Sequence, residues 1–219
     1  MSHFPKPPEG SWTEHYGIDT APMSYEDSIS PEHHELEREA IFARSWLNVG
    51  RVEQLRNKER RYTQDIAVAD TTVLVVEEVD GGGISAFRSP KDGESGTGPP
   101  RPVQVDVWEG FVFVNLDDSN TASLRESLGR FASGLEGYPF GEMTQVFKYR
   151  SDVGSNWKLY IDAFAEFYHA PVLHAKQYVS DESRKLMSYG FEALYYDLDG
   201  PHGMVSSWGG GMAPPRRIP

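Results

Sequence analysis

The sequence contains no cysteine. That excludes a disulfide framework, a Cys-ligated zinc site and a Cys-held iron–sulfur cluster. It is also short of positive charge: 21 Lys+Arg face 33 Asp+Glu, a formal net charge of −12. Nucleic-acid binding draws on clustered Lys and Arg to neutralise phosphates, so that class is excluded as well. Long hydrophobic runs are missing. Stretches such as Thr72–Val76 and Phe111–Val114 fall far below the roughly 20 apolar residues of a spanning helix. Met1–Trp12 is Pro-rich and polar, without the apolar stretch of a secretory signal. Together these absences lead us to expect a cytoplasmic protein that meets neither membrane nor nucleic acid.

What is present suits a globular chain. Apolar residues make up 38% and aromatic residues 12% of 219 positions, enough for a core of ordinary size. The 21 Gly and 15 Pro point to many turns rather than a helical bundle. Residues 1–28 read as an extended arm, broken by Pro5, Pro7, Pro8, Gly10, Gly17 and Pro22. Ser30-Pro31 then signals a helix start, with Ser as N-cap and Pro in the first turn. That helix is predicted to run to about Arg44, with Leu36, Ala40 and Ala43 as its apolar stripe.

From Ser45 the period changes to two. Ser45–Arg51, Tyr62–Ala67, Thr71–Val79, Ile84–Phe87 and Val103–Leu116 read as strands of an antiparallel β unit. Residues 88–102 form a Gly/Pro/Ser loop inside it, and 80–83 a hairpin turn. Ser123–Leu135 reads as a short amphipathic helix, Thr144–Asp152 as a strand and Asn156–Ala170 as a longer helix. Glu192–Leu198 and Met204–Trp208 read as a hairpin around Asp199-Gly200.

The chemistry sits in 156–174, NWKLYIDAFAEFYHAPVLH. Trp157, Ile161, Phe164 and Tyr168 form an apolar stripe at helical spacing. Asp162, Glu166 and His169 form a second, polar stripe, and Pro171 ends the helix just before His174. Two imidazoles and a carboxylate on one side of a divalent ion leave coordination positions open, the arrangement selected by non-haem Fe(II) oxygenases. Spacing alone is equally compatible with solvated acids and ordinary surface histidines.

This stretch resembles the mononuclear-iron motif of Rieske-type ring-hydroxylating oxygenase α subunits. The matching residues are Asn156-Trp157-Lys158, Asp162-Ala163-Phe164, Glu166, Tyr168-His169 and His174. Val105–Asp117, VDVWEGFVFVNLD, resembles the strand pair that follows the Rieske domain, and Pro31–Leu55 the family's N-terminal helix and first strand. The resemblance implies that His169 and His174 bind a mononuclear non-haem Fe(II). It implies that Glu166 bridges electrons to a cluster ligand of a neighbouring subunit, and that Lys158 and Tyr168 are structural.

Two departures matter. The family's Cys-x-His and Cys-x-x-His cluster ligands would lie between Ala86-Phe87 and Val105–Gly110, where this chain has only the 88–102 loop. No 2Fe–2S cluster is therefore expected, although the family carries one. The family's third iron ligand is an acidic residue late in a longer catalytic domain. Asp197 and Asp199 are weak substitutes at a hairpin, so iron binding is expected to be weak.

The expected fold is α+β. A remnant of a Rieske-like antiparallel β domain (29–118) follows the arm (1–28). The first part of a helix-grip, START-like catalytic domain (119–219) comes after it. The family implies O₂ activation for hydroxylation of an aromatic or similar apolar substrate. It also implies a ferredoxin or reductase donor and a homotrimer or α/β hetero-oligomer. This chain, read as truncated, is expected not to be self-sufficient. The alternative is a non-catalytic hydrophobic-ligand-binding or assembly module, or a degenerate fragment.

Overall fold

The computed structural model describes residues 24–78, 82–90, 100–134, 138–165, 169, 173, 180 and 194–207. Two short helices, α1 (Glu26–Ile29) and α2 (Pro31–Glu37), lead into a π-helical turn, Arg38–Phe42. The expected cap is present: Ser30 Oγ accepts the His33 N–H at 3.1 Å, and Pro31 fills the first turn. The expected apolar stripe is not the buried face. Leu36 is 62% exposed and Ala40 is exposed, whereas Glu37 is buried. The carboxylate turns inward because it finds donors there, described below.

Six strands follow: β1 (Trp46–Arg51), β2 (Arg61–Ile66), β3 (Thr71–Glu77), β4 (Ile84–Pro90), β5 (Arg101–Trp108) and β6 (Phe111–Asn115). They form one antiparallel sheet in the order β1-β6-β5-β4-β3-β2. The two edges are consecutive in sequence and approach one another through the 3₁₀ segment Val52–Arg56, so the sheet curls towards a barrel. Alternation decides the inner face. Thr71, Val73 and Val75 of β3 and Val112 and Val114 of β6 are buried. With Val49, Leu55, Ile66, Ala86 and Leu116 the valines make the core. Buried Asn115 is satisfied, donating to Arg44 O at 3.1 Å and accepting the Asp117 N–H at 2.9 Å.

The strands flanking the expected loop are neighbours. Ala86 pairs with Val103 and Arg88 with Arg101, so the chain between β4 and β5 closes a hairpin. Val103–Leu116 resolves into two strands joined at Glu109-Gly110.

The predicted helix over 123–135 is broken. It divides into α3 (Leu124–Leu128) and α4 (Arg130–Gly134) at Gly129, whose φ of +56° suits glycine. The predicted strand over 144–152 does not form: 143–153 has no regular element, with Val146 95% exposed. A strand is a pairing, and no described strand lies beside it. The long helix is α5 (Trp157–Ala165). Its expected apolar stripe is not a buried one among the described residues, since Ile161 and Phe164 are exposed while Trp157 is half-buried. The last hairpin forms as β7 (Leu194–Asp199) and β8 (His202–Ser207), turning at Gly200-Pro201. His202 is the first residue of β8.

Candidate metal centre

Helix α5 begins at a device built by Asn156-Trp157-Lys158. Asn156 Oδ1 accepts the Lys158 N–H at 2.9 Å, satisfying one orphan donor of the first turn. Its amide nitrogen reaches Ser28 O at 3.1 Å. The Trp157 indole N–H donates to Glu37 Oε2 at 2.8 Å, and its ring meets Phe42 edge-on at 5.2 Å. The Lys158 ammonium donates to Glu37 Oε1 and, at 3.1 Å, to Asp27 O. Every residue of the triplet thus ties α5 to the N-terminal helices. Burial alone pushes the Glu37 carboxyl up. The Lys158 and Trp157 hydrogen bonds, the Lys158 charge and a His34 contact outweigh it and hold the group below its ordinary value.

His169 lies beyond α5 and is half-buried, and its carbonyl accepts the Leu173 N–H at 2.7 Å. Asp162 is exposed on α5. Glu166 and His174, with Tyr168, lie outside the described residues. Among the described residues no group of three or more His, Asp and Glu is arranged to hold a metal. His33, His34 and Glu37 repeat the donor types on one helix, with the imidazoles 3.5 and 3.6 Å from the carboxylate. That carboxylate is committed to Lys158 and Trp157, which occupy the place a cation would take.

Asp199 is committed as well. Its Oδ2 accepts the Arg130 N–H at 3.2 Å and lies 3.7 Å from Arg130 Nε. His202 donates from Nε2 to Ser127 O, and its ring meets Phe131 edge-on. The hairpin tip is therefore latched onto the α3–α4 break, and Asp199 serves there rather than as a metal ligand.

The stretch preceding α5 is held to the sheet by further side chains. Arg51 lies 4.5 Å over the Phe111 ring and donates to the carbonyls of Phe140 and Met143. Glu53 accepts the Gln145 N–H at 2.7 Å. Trp108, Phe111, Tyr138 and Phe140 gather as an aromatic cluster. The sequence signal for Glu37 was an acid inside an amphipathic helix, indistinguishable by pattern from its exposed neighbours Glu35 and Glu39.

Comparison with known proteins agrees with this architecture. Residues 140–217 match the family model described as ring hydroxylating alpha subunit (catalytic domain). The carnitine monooxygenase oxygenase subunit of Escherichia coli (strain K12) is 30% identical over 74 residues, 33% of this chain and 20% of that protein. Its counterpart from Acinetobacter pittii (strain PHEA-2) is 28% identical over 75 residues, again covering 33% and 20%. The matched segment is thus about a fifth of those relatives' length. In fold, the chain resembles the quaternary ammonium Rieske monooxygenase CntA in complex with L-carnitine, with TM-score 0.62 and 17% identity. The likeness covers 83% of this chain and 60% of that one. Naphthalene 1,2-dioxygenase from Rhodococcus sp. bound to indole gives TM-score 0.59 and 18% identity, over 88% and 56% of the two chains. Residues 140–217 are thus similar to the catalytic domain of ring-hydroxylating α subunits, and the chain shares its fold with Rieske-type oxygenases.

Proposed function

We propose that this chain carries the two-histidine part of a mononuclear non-haem iron site, with His169 and His174 as the imidazole ligands. The observation that carries the reading is the Glu166, His169 and His174 motif inside the segment matched by the catalytic-domain model. The donor set fits: neutral imidazoles suit Fe(II) and leave positions for further ligands. Bound iron would supply O₂ activation for hydroxylation. The protein's part is to hold the imidazoles and to shelter an apolar or aromatic substrate.

In this reading Glu166 is the carboxylate that passes electrons across a subunit contact, within an oligomer fed by a ferredoxin or reductase. Residues 29–118 are the Rieske-like β domain without its cluster, because the chain has no cysteine to hold one. Residues 119–219 belong to the iron domain. The activity then depends on electrons and a further acidic ligand reaching the site.

Anaerobic Fe(II) loading followed by metal analysis tests the assignment. About one iron per chain is expected, lost in both His169→Ala and His174→Ala. Iron retained by both variants would refute the ligand assignment.

A further inference from the structure

Glu37 is the one charged side chain among the buried described residues. A carboxylate 5% exposed is costly to keep charged unless donors surround it. Here an ammonium and an indole N–H bond its two oxygens, and two imidazole nitrogens stand within 3.6 Å. Both bonding partners come from the first two residues of α5. Further along, Leu159, Tyr160, Ile161 and Phe164 are exposed. The hydrogen bonds that tie α5 to the N-terminal helices are therefore made by its first two residues.

We propose that Glu37 is a positioning residue for the metal-ligand helix. By fixing Trp157 and Lys158 against the N-terminal helices, it sets where α5 delivers His169. This role rests on the reading of His169 and His174 as ligands. The lever arm gives its size. Eight residues of rise, Trp157 to Ala165, make about 12 Å at roughly 1.5 Å per residue. A tilt of about 5° at the clasp then moves the far end by about 1 Å, a displacement large enough to degrade a preorganised site. Loss of comparable supporting bonds weakens metal sites by about 10- to 100-fold.

The test uses the full chain with Co(II) as probe, followed by its visible absorbance, alongside amide hydrogen exchange. Glu37→Gln and Lys158→Met are expected to weaken Co(II) binding about tenfold and to accelerate exchange across 157–165. Exchange across 111–116 in the sheet core is expected to stay unchanged. Lys158→Arg, which keeps a charged donor for Glu37, is expected to restore both readouts. Wild-type Co(II) affinity in Glu37→Gln, or wild-type exchange across 157–165, overturns the positioning role while leaving the ligand assignment intact. Co(II) binding that is absent from the wild type, or indifferent to His169→Ala, overturns the metal-site reading and this role with it.

Discussion

Replacing Gly50 with alanine should destabilise the chain strongly. Gly50 sits at the register irregularity between β1 and β6, with φ of +149°. A Cβ there would lie 2.3 Å from Gln54 Oε1 and 2.8 Å from the Tyr62 hydroxyl, where non-bonded atoms prefer about 3.5 Å or more. The Gln54 side chain can swing away, but its oxygen accepts the Arg51 N–H at 2.8 Å. Losing that bond costs about 1 kcal/mol. The Tyr62 ring is stiffer, and overpacking against it costs about 1–3 kcal/mol. Backbone strain at this φ adds about 1–3 kcal/mol for a residue with a side chain. We expect a net loss of about 4 kcal/mol, because costs at touching residues overlap and do not simply add. At roughly 2–4 °C per kcal/mol for a chain of this size, Tm falls by about 8–16 °C. The assay is thermal and urea unfolding of the full chain, in a double-mutant cycle with Gln54→Ala. Removing the Gln54 amide should relieve part of the penalty and leave the φ and Tyr62 parts. A drop below about 2 °C, or a penalty untouched by Gln54→Ala, would refute the steric argument.

Other expectations follow from the same geometry. Glu37 has its folded pKa held below the unfolded one, so its stabilisation is present above the ordinary glutamate range and fades as pH falls through the folded value. Acid titration of unfolding should therefore show wild type and Glu37→Gln converging below about pH 4 and separating above it. Burial pushes the Tyr62 phenol up to about 12, and its hydroxyl has no hydrogen-bond partner among the described residues. Its contribution is complete below the unfolded value near 10 and is lost as pH rises through about 12. Tyr62→Phe should flatten the alkaline limb of stability against pH, measured by urea midpoints. Asp199→Ala should free the hairpin tip, read as faster amide exchange at Arg130 and across 194–207, with the six-stranded sheet unaffected.

Much of the β unit was legible because alternation at Thr71, Val73 and Val75, and at Val112 and Val114, states which face is inside. Ser30-Pro31 was equally clear, since capping is a local event. What failed was tertiary. Leu36 looked like the inward residue of its helix, yet Glu37 turns in because Trp157 and Lys158 wait 120 and 121 residues away in sequence. The 144–152 segment has strand composition but no described neighbour to pair with. Gly129 broke a helix that periodicity alone would continue. At the candidate site, the Asn-Trp-Lys triplet was visible as a motif, but its job as a cap and clasp became apparent only with Glu37 in place. His169 is half-buried beyond α5, and Asp199 is bonded to Arg130.

The β4–β5 hairpin has a practical consequence. The two strands hold their register through Ala86–Val103, Phe87–Pro102 and Arg88–Arg101. Loop-closure entropy grows only slowly with length, by about 0.6 kcal/mol for each doubling. The join is therefore a graft point: a peptide tag or a small folded cassette can be spliced between Pro90 and Arg101 while the barrel wall stays closed.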